Sequence, residues 1–272
     1  MVRAARITAV AVMALAAKSL PGRCAAAAVT LDVTADSAAG FIVSVGGRPW
    51  LISAPSTLFA GRADHPVHLQ SSGPAAGTDA LGAYQADTWI GSAGGIPVEA
   101  AIRQYPARGA VTFDIRLPNG ANSTQRKPFN ISVYGHPGQV PPMLDFPAFS
   151  WSRQPSTGSE EGAERDAAPA DLGLFTIGGD QIGQATLSWG DGTCGPPPHH
   201  HQCAPQPSNL GRSAGPFLLF EDPRDAAVAI CPLTHFHTAT SFYDSSLQKW
   251  QWGPSGELTS LPPGFTHRCV SR

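Results

Sequence analysis

Val111-Thr112-Phe113-Asp114-Ile115-Arg116-Leu117 alternates apolar and polar residues without a break. A strand turns successive side chains to opposite faces. Val111, Phe113, Ile115 and Leu117 therefore share one face, and Thr112, Asp114 and Arg116 the other. One buried face and one wet face is the pattern of an antiparallel sheet lying on a core. Asn119-Gly120 follows at once and supplies a turn pair that closes the strand.

The same period recurs on both sides. Thr30 to Thr34 predicts a short strand, and Phe41 to Val45, Gly46-Gly47 and Arg48 to Ser53 predict a hairpin, because Gly-Gly supplies the positive φ of a two-residue turn. Further strands are expected at Phe129 to Tyr134, Leu172 to Ile177, Ala185 to Trp189, Phe217 to Phe220, Ala227 to Cys231 and Lys249 to Trp252. Ile96 to Gln104 carries the only hint of a helix, although Pro97 near its start suits an extended chain equally well. With 29 Gly and 26 Pro, about a fifth of the 272 residues disfavour helix interiors. About a dozen short strands joined by turns predict one all-β domain, a large antiparallel β-sandwich. Two polar segments without apolar period, 152–171 and 195–211, read as loop insertions.

Charge and targeting narrow the setting. The formal net charge is −2, and no Lys/Arg cluster is interleaved with aromatics, so nucleic acid is not expected as a partner. Arg3 and Arg6 precede an apolar run from Ile7 to Ala17, and small residues follow through Ala28. That order reads as a secretory signal peptide over 1–27, leaving 28–272 as the domain. The run is shorter than the roughly 20 residues a spanning helix needs, so no membrane span is expected after its removal. The chain is placed outside the cell or in the endomembrane lumen, with organelle targeting as the alternative.

Secretion would suit disulfides. With Cys24 leaving in the signal, Cys194, Cys203, Cys231 and Cys269 allow three pairings. Cys194 with Cys203 is the first choice, because they flank a Pro- and His-rich loop, and Cys231 with Cys269 follows. The sequons at Asn122-Ser123-Thr124 and Asn130-Ile131-Ser132 are candidate glycan sites.

No constellation for catalysis emerges. His235-Phe236-His237 would put two imidazoles on one strand face, and His199-His200-His201 adds three more. Neither a complete ligand set nor a supporting shell accompanies them, so no metal or other cofactor is assigned. Ser188 lies in a plain strand pattern, outside any nucleophile elbow. Asp171, Asp180, Asp191, Glu221, Asp222 and Asp225 are numerous enough for glycoside hydrolysis, but Glu221 to Asp225 is built like a turn. Six tryptophans remain, of which Trp250 and Trp252 share a strand face and are the candidate platform for stacking on a sugar ring.

Several segments in order carry a resemblance. They are Gly47-Arg48-Pro49-Trp50-Leu51 with Leu58-Phe59, Asp79-Ala80-Leu81-Gly82-Ala83-Tyr84, and Phe113 to Gly120. Phe146-Pro147-Ala148-Phe149, Gly215 to Phe220 and Leu261 to Arg268 complete the series. Together they resemble the N-terminal region of secreted eukaryotic proteins related to the α-galactosidase and raffinose-synthase glycoside hydrolases. The resemblance implies a β-supersandwich ahead of a (β/α)₈ barrel that holds the two catalytic acids. The sequence contains no βα alternation to build a barrel of roughly 250 residues, so no catalytic residue is carried over. The expected role is that of a non-catalytic accessory sandwich, with carbohydrate or a C-terminal barrel as partner. A free-standing carbohydrate-binding module and a structural extracellular domain without ligand are the alternatives.

Overall fold

The computed structural model describes residues 31–36, 38–126, 140–150, 171–178, 181–188, 193–194, 201–202, 217–221, 226–235, 238–244 and 249–271. In chain order the strands begin with β1 (Leu31–Ala35), β2 (Phe41–Val45), β3 (Arg48–Ser53), β4 (Thr57–Ala60) and β5 (Ala63–Pro66). Next come β6 (His68–Asp79), β7 (Gly82–Ala93), β8 (Ile96–Tyr105), β9 (Ala110–Leu117), β10 (Ala121–Asn122) and β11 (Ala148–Ser150). They continue with β12 (Asp171–Gly178), β13 (Gln181–Ser188), β14 (Thr193–Cys194), β15 (His201–Gln202) and β16 (Phe217–Glu221). The last are β17 (Ala226–Pro232), β18 (Ala239–Asp244), β19 (Lys249–Pro254), β20 (Ser260–Leu261) and β21 (Phe265–Ser271).

The chain is an all-β antiparallel sandwich. One sheet has six strands in the order β1-β2-β3-β11-β19-β18, and the other has nine in the order β13-β12-β16-β17-β21-β9-β8-β7-β6. Aromatic rings from both sheets form the seam between them. Phe41 on β2 and Phe149 on β11 meet Phe113 on β9 at ring-centroid distances of 5.1 and 6.0 Å. Phe146 joins from the segment before β11, 6.4 Å from Phe113. Each such ring removes a large apolar area from water, so this seam contributes strongly to the hydrophobic stabilisation of the fold.

Local chemistry accounts for several elements. Gly46 and Gly47 adopt φ of 58° and 77°, the double left-handed turn that joins β2 to β3 with Val45 opposite Arg48. Gly120 has φ of 69°, and a Cβ there would collide with the Leu261 carbonyl where β10 pairs with β20. Ile96 to Gln104 is not helical; it is the body of β8, with Val98, Ala100 and Ile102 buried along one face.

The central strand β9 departs from the expected wet face. Thr112 and Asp114 are buried, and only Arg116 of the polar side reaches solvent. The cause is position: β9 lies between β8 and β21, whose Arg103 and Arg268 fold over Asp114. Of the two expected insertions, Asp171 opens β12, and His201–Gln202 pairs with Thr193–Cys194; the rest of both segments lies outside the described residues. The expected strand at Phe129 to Tyr134 and the signal segment 1–27 also lie outside them.

Candidate functional site

Among the described residues, a dense cluster of charged groups sits on the outer face of the nine-stranded sheet. Asp79 ends β6, Arg103 and Tyr105 lie on β8, Asp114 on β9 and Arg268 on β21. Register brings them together: Asp114 faces Ala101 on one side and Arg268 on the other, while Arg103 faces Thr112 two positions along, on the same face. Arg268 grips Asp114 with two hydrogen bonds, Nε to Oδ1 at 2.7 Å and Nη2 to Oδ2 at 2.9 Å. Arg103 Nε adds a third contact to Asp114 Oδ2 at 3.0 Å. Both guanidinium groups also reach Asp79 Oδ2 at 3.2 Å, and the Tyr105 hydroxyl donates to the same oxygen at 2.8 Å. The Tyr84 ring lies under the Arg103 guanidinium at 4.7 Å.

These two carboxylates feel different surroundings. Burial raises the Asp114 carboxyl above the usual range, and the Arg268 and Arg103 charges only partly offset it. Burial also acts to raise Asp79, but the Leu81 amide, the Tyr105 hydroxyl and the two guanidiniums outweigh it and hold the carboxyl below its ordinary value. Each is bonded to arginine, which ties it down as an ion-pair partner and leaves neither poised to exchange a proton. The cluster is an architectural clamp across β6, β8, β9 and β21.

The tryptophan platform is overturned. Trp250 and Trp252 do share a face of β19, with rings stacked 25° apart at 5.3 Å. That face is the inner one: they are 1% and 0% exposed, and Phe149 packs edge-on against Trp252 at 6.1 Å. Rings enclosed between two sheets offer no surface to a sugar.

The pairing of Cys231 with Cys269 is also overturned, for both are free thiols. Across β17 and β21, Cys231 stands opposite Val270, and Cys269 opposite Pro232. Directly opposed residues share a face and successive ones alternate, so the two Cβ atoms leave on opposite sides of the sheet. A bridge needs them converging to about 3.8 Å. Cys194 is placed by its backbone on β14, opposite His201, and Cys203 lies outside the described residues.

Of the histidine pair, only His235 falls within the described residues, and it is not on a strand. His235 sits in the loop after β17 at φ of 54°, exposed and stacked on the Phe265 ring at 4.8 Å, while His237 lies outside the described residues. Among the described residues no group of three or more His, Cys, Asp or Glu is arranged to hold a metal. A different histidine is the unusual one. His267 on β21 is fully buried, its Nε2 lies 3.4 Å from the Cys269 sulfur, and its Nδ1 has no partner. Burial, with a smaller contribution from His235, lowers its pKa to about 4, and burial drives the Cys269 thiol well up, so the ring is held neutral and the thiol protonated.

Among the described residues, two surface clefts bear on the site. One, of about 420 Å³, is lined by Pro74, Ala75, Ala76, Gln85, Asp87 and Gln104. The other, of about 330 Å³, lies where three turns meet: Gly61 between β4 and β5, Gly94 between β7 and β8, and Gly120 between β9 and β10. His65 and Asn122 complete its wall, and the His65 ring lies against Gly94. Asn122 is exposed and Asn130 lies outside the described residues. His65 carries no motif, Arg103 sits in the stretch Ile96 to Gln104 that reads as helix or extended and Tyr105 just beyond it, so neither grouping is legible from the sequence alone. No described helix is long and apolar enough to cross a membrane.

No known protein family matches this sequence, and no curated protein does. Among solved structures, the crystal structure of a β-arabinopyranosidase is similar over 89% of this chain with a TM-score of 0.41 and 12% identity. The chain spans 38% of the length of that protein.

Proposed function

We propose that this chain is a non-catalytic accessory sandwich of a glycoside-hydrolase-like protein, which supports a separate catalytic unit and does not turn over sugar itself. The observation that carries the reading is the convergence of Asp79, Asp114 and Arg268 in one clamp. These residues come from three of the six sequence segments that resemble the N-terminal region of the α-galactosidase and raffinose-synthase relatives. Segments far apart in sequence that meet in one ion network behave as a shared structural framework. The carboxylates in it are already committed to arginine, so the framework holds strands together and leaves the chemistry to another domain.

The test is in two parts. Reading the transcript past the codon for Arg272 should reveal βα repeats with a carboxylate pair, and the continued protein should cleave aryl glycosides. The 272-residue chain alone should leave the same substrates untouched. Hydrolysis by this chain alone would overturn the non-catalytic reading, and a frame that ends at Arg272 would overturn the accessory role.

A further inference from the structure

We propose that Asn122 carries an N-linked glycan whose first N-acetylglucosamine seats in the cleft formed by the Gly61, Gly94 and Gly120 turns. Three independent features meet there. Asn122-Ser123-Thr124 is a complete sequon, and the Asn122 side chain is exposed on the two-residue strand β10. Ser123 then takes a left-handed backbone, with φ of 55°. The same asparagine forms part of the wall of the 330 Å³ cleft, a volume within the roughly 300–1,000 Å³ range of small-molecule sites.

The cleft suits a sugar ring. Its floor is Ala60, Ala121 and three glycines in turn conformations, so no bulky side chain fills the space beside Asn122. His65 stands at the side as a flat polar ring held by a 3.1 Å hydrogen bond between Nε2 and the Ala60 carbonyl, which leaves Nδ1 for a sugar hydroxyl. Ile96 contributes an apolar contact for a ring face.

Thr124 fixes the order of events. Its side chain is fully buried, its hydroxyl donates to the Leu258 carbonyl at 2.8 Å and its amide to the Thr259 carbonyl at 3.1 Å. A threonine locked in this way is unavailable to a transferase, so attachment precedes closure of β10 on β20. In that step Asn122 Nδ2 bonds to C1 of the first sugar of a polyprenyl-diphosphate oligosaccharide. The C1–O bond breaks, the diphosphate leaves with the electron pair, and Nδ2 loses a proton.

The experiment uses the full chain with its own leader, secreted from a eukaryotic host and carrying Asn130→Gln so that only the Asn122 glycan reports. Amidase release in ¹⁸O water should label the tryptic peptide 117–126, with fragment ions placing the label on Asn122 and not on Asn119. Melting is then compared for the intact glycoprotein, the form trimmed by an endoglycosidase to one N-acetylglucosamine, and two bare forms: the amidase product and Asn122→Gln. The trimmed form should melt with the intact one, and both bare forms about 2–4 °C lower, as for a loss near 1 kcal/mol in a domain this size. An unlabelled Asn122, whether the chain is secreted or retained in the cytosol, overturns the site. Bare forms that melt with the trimmed one overturn the seat in the cleft.

Discussion

Lys249 donates through Nζ to Oδ2 of Asp145 at 2.6 Å, with the two side chains 7% and 0% exposed. The pair joins β19 to the segment that leads into β11, and other groups complete it. The Thr57 amide donates to the second carboxylate oxygen, the Thr57 hydroxyl donates to Oδ2 at 3.3 Å, and the Pro55 carbonyl accepts from Lys249. Burial raises the Asp145 carboxyl, an effect that Lys249 opposes but does not cancel. Such a pair adds little net stability over an apolar replacement, yet leaving one member alone is costly.

Lys249→Met should therefore destabilise the domain by about 3–5 kcal/mol. Asp145→Asn with Lys249→Met should cost less than the single change, because the neutral amide keeps an acceptor for Thr57 and removes the stranded charge. Urea midpoints at fixed m-value measure both. A double variant no more stable than Lys249→Met would show that the charge is not what matters.

The outer clamp predicts a second asymmetry. Arg268 makes a two-pronged contact with Asp114 and also reaches Asp79, which a lysine cannot reproduce. Arg268→Lys should lose about 1.5–3 kcal/mol, the value of hydrogen bonds to charged groups. Asp79 is held below its unfolded pKa, so its contribution is present above about pH 4 and fades as pH falls through the lower folded value. Asp114 is shifted the other way, so its contribution shrinks as pH rises above that range. Removing Asp79 as Asp79→Asn should flatten the acid end of the stability curve.

How far the sequence reaches is visible in particular strands. β9 and the β2–β3 hairpin were legible because alternation and a Gly-Gly turn are local signals. β6 was not: His68 to Asp79 is small and polar, runs along the sheet edge largely in solvent, and carries a register shift between Ser71 and Gly73. β8 was ambiguous because Ala100 and Ala101 are equally small on both faces. The shared face of Trp250 and Trp252 follows from period alone, whereas its burial depends on a sheet elsewhere in the chain. Likewise, Asp114 and Arg268 are 154 residues apart, and only strand order brings them together.

Buried tryptophans make a stability prediction where exposed ones would make a binding prediction. Trp250→Ala should cost about 3–5 kcal/mol through lost burial and the cavity left behind. Acrylamide should quench Trp250 and Trp252 in the native protein far less than in the unfolded one, measured in variants where the other four tryptophans are Phe. Strong native quenching would return these rings to the surface.

Free thiols give a chemical test of the β17–β21 register. With Cys194 and Cys203 replaced by serine, Cys231 should react slowly with a thiol reagent in the native state and Cys269 only after unfolding, since it is completely buried. Burial raises both thiol pKa values, which slows Cys231 further. Reductant should leave the melting temperature of that variant unchanged. A drop would mean that the two sulfurs do meet.

His267 supplies the clearest pH signature. Nε2 lies against the Cys269 sulfur, Nδ1 has no partner, and burial keeps the ring neutral with a pKa of about 4. In the unfolded chain the value is about 6.5, so between these limits the unfolded state binds more protons than the folded one. Stability is thus full above about pH 6.5 and falls as the pH drops towards 4, by an amount on the order of 3 kcal/mol at about 1.36 kcal/mol per unit. This loss has the opposite sense to the Asp114 and Asp145 shifts, whose raised carboxyls favour the folded state as the pH falls. His267→Leu removes the titration and the unpartnered nitrogen together, so it should flatten the unfolding free energy between pH 4 and 6.5. If the curve keeps its slope in that variant, the acid sensitivity belongs to other groups and the buried ring is not what senses the proton.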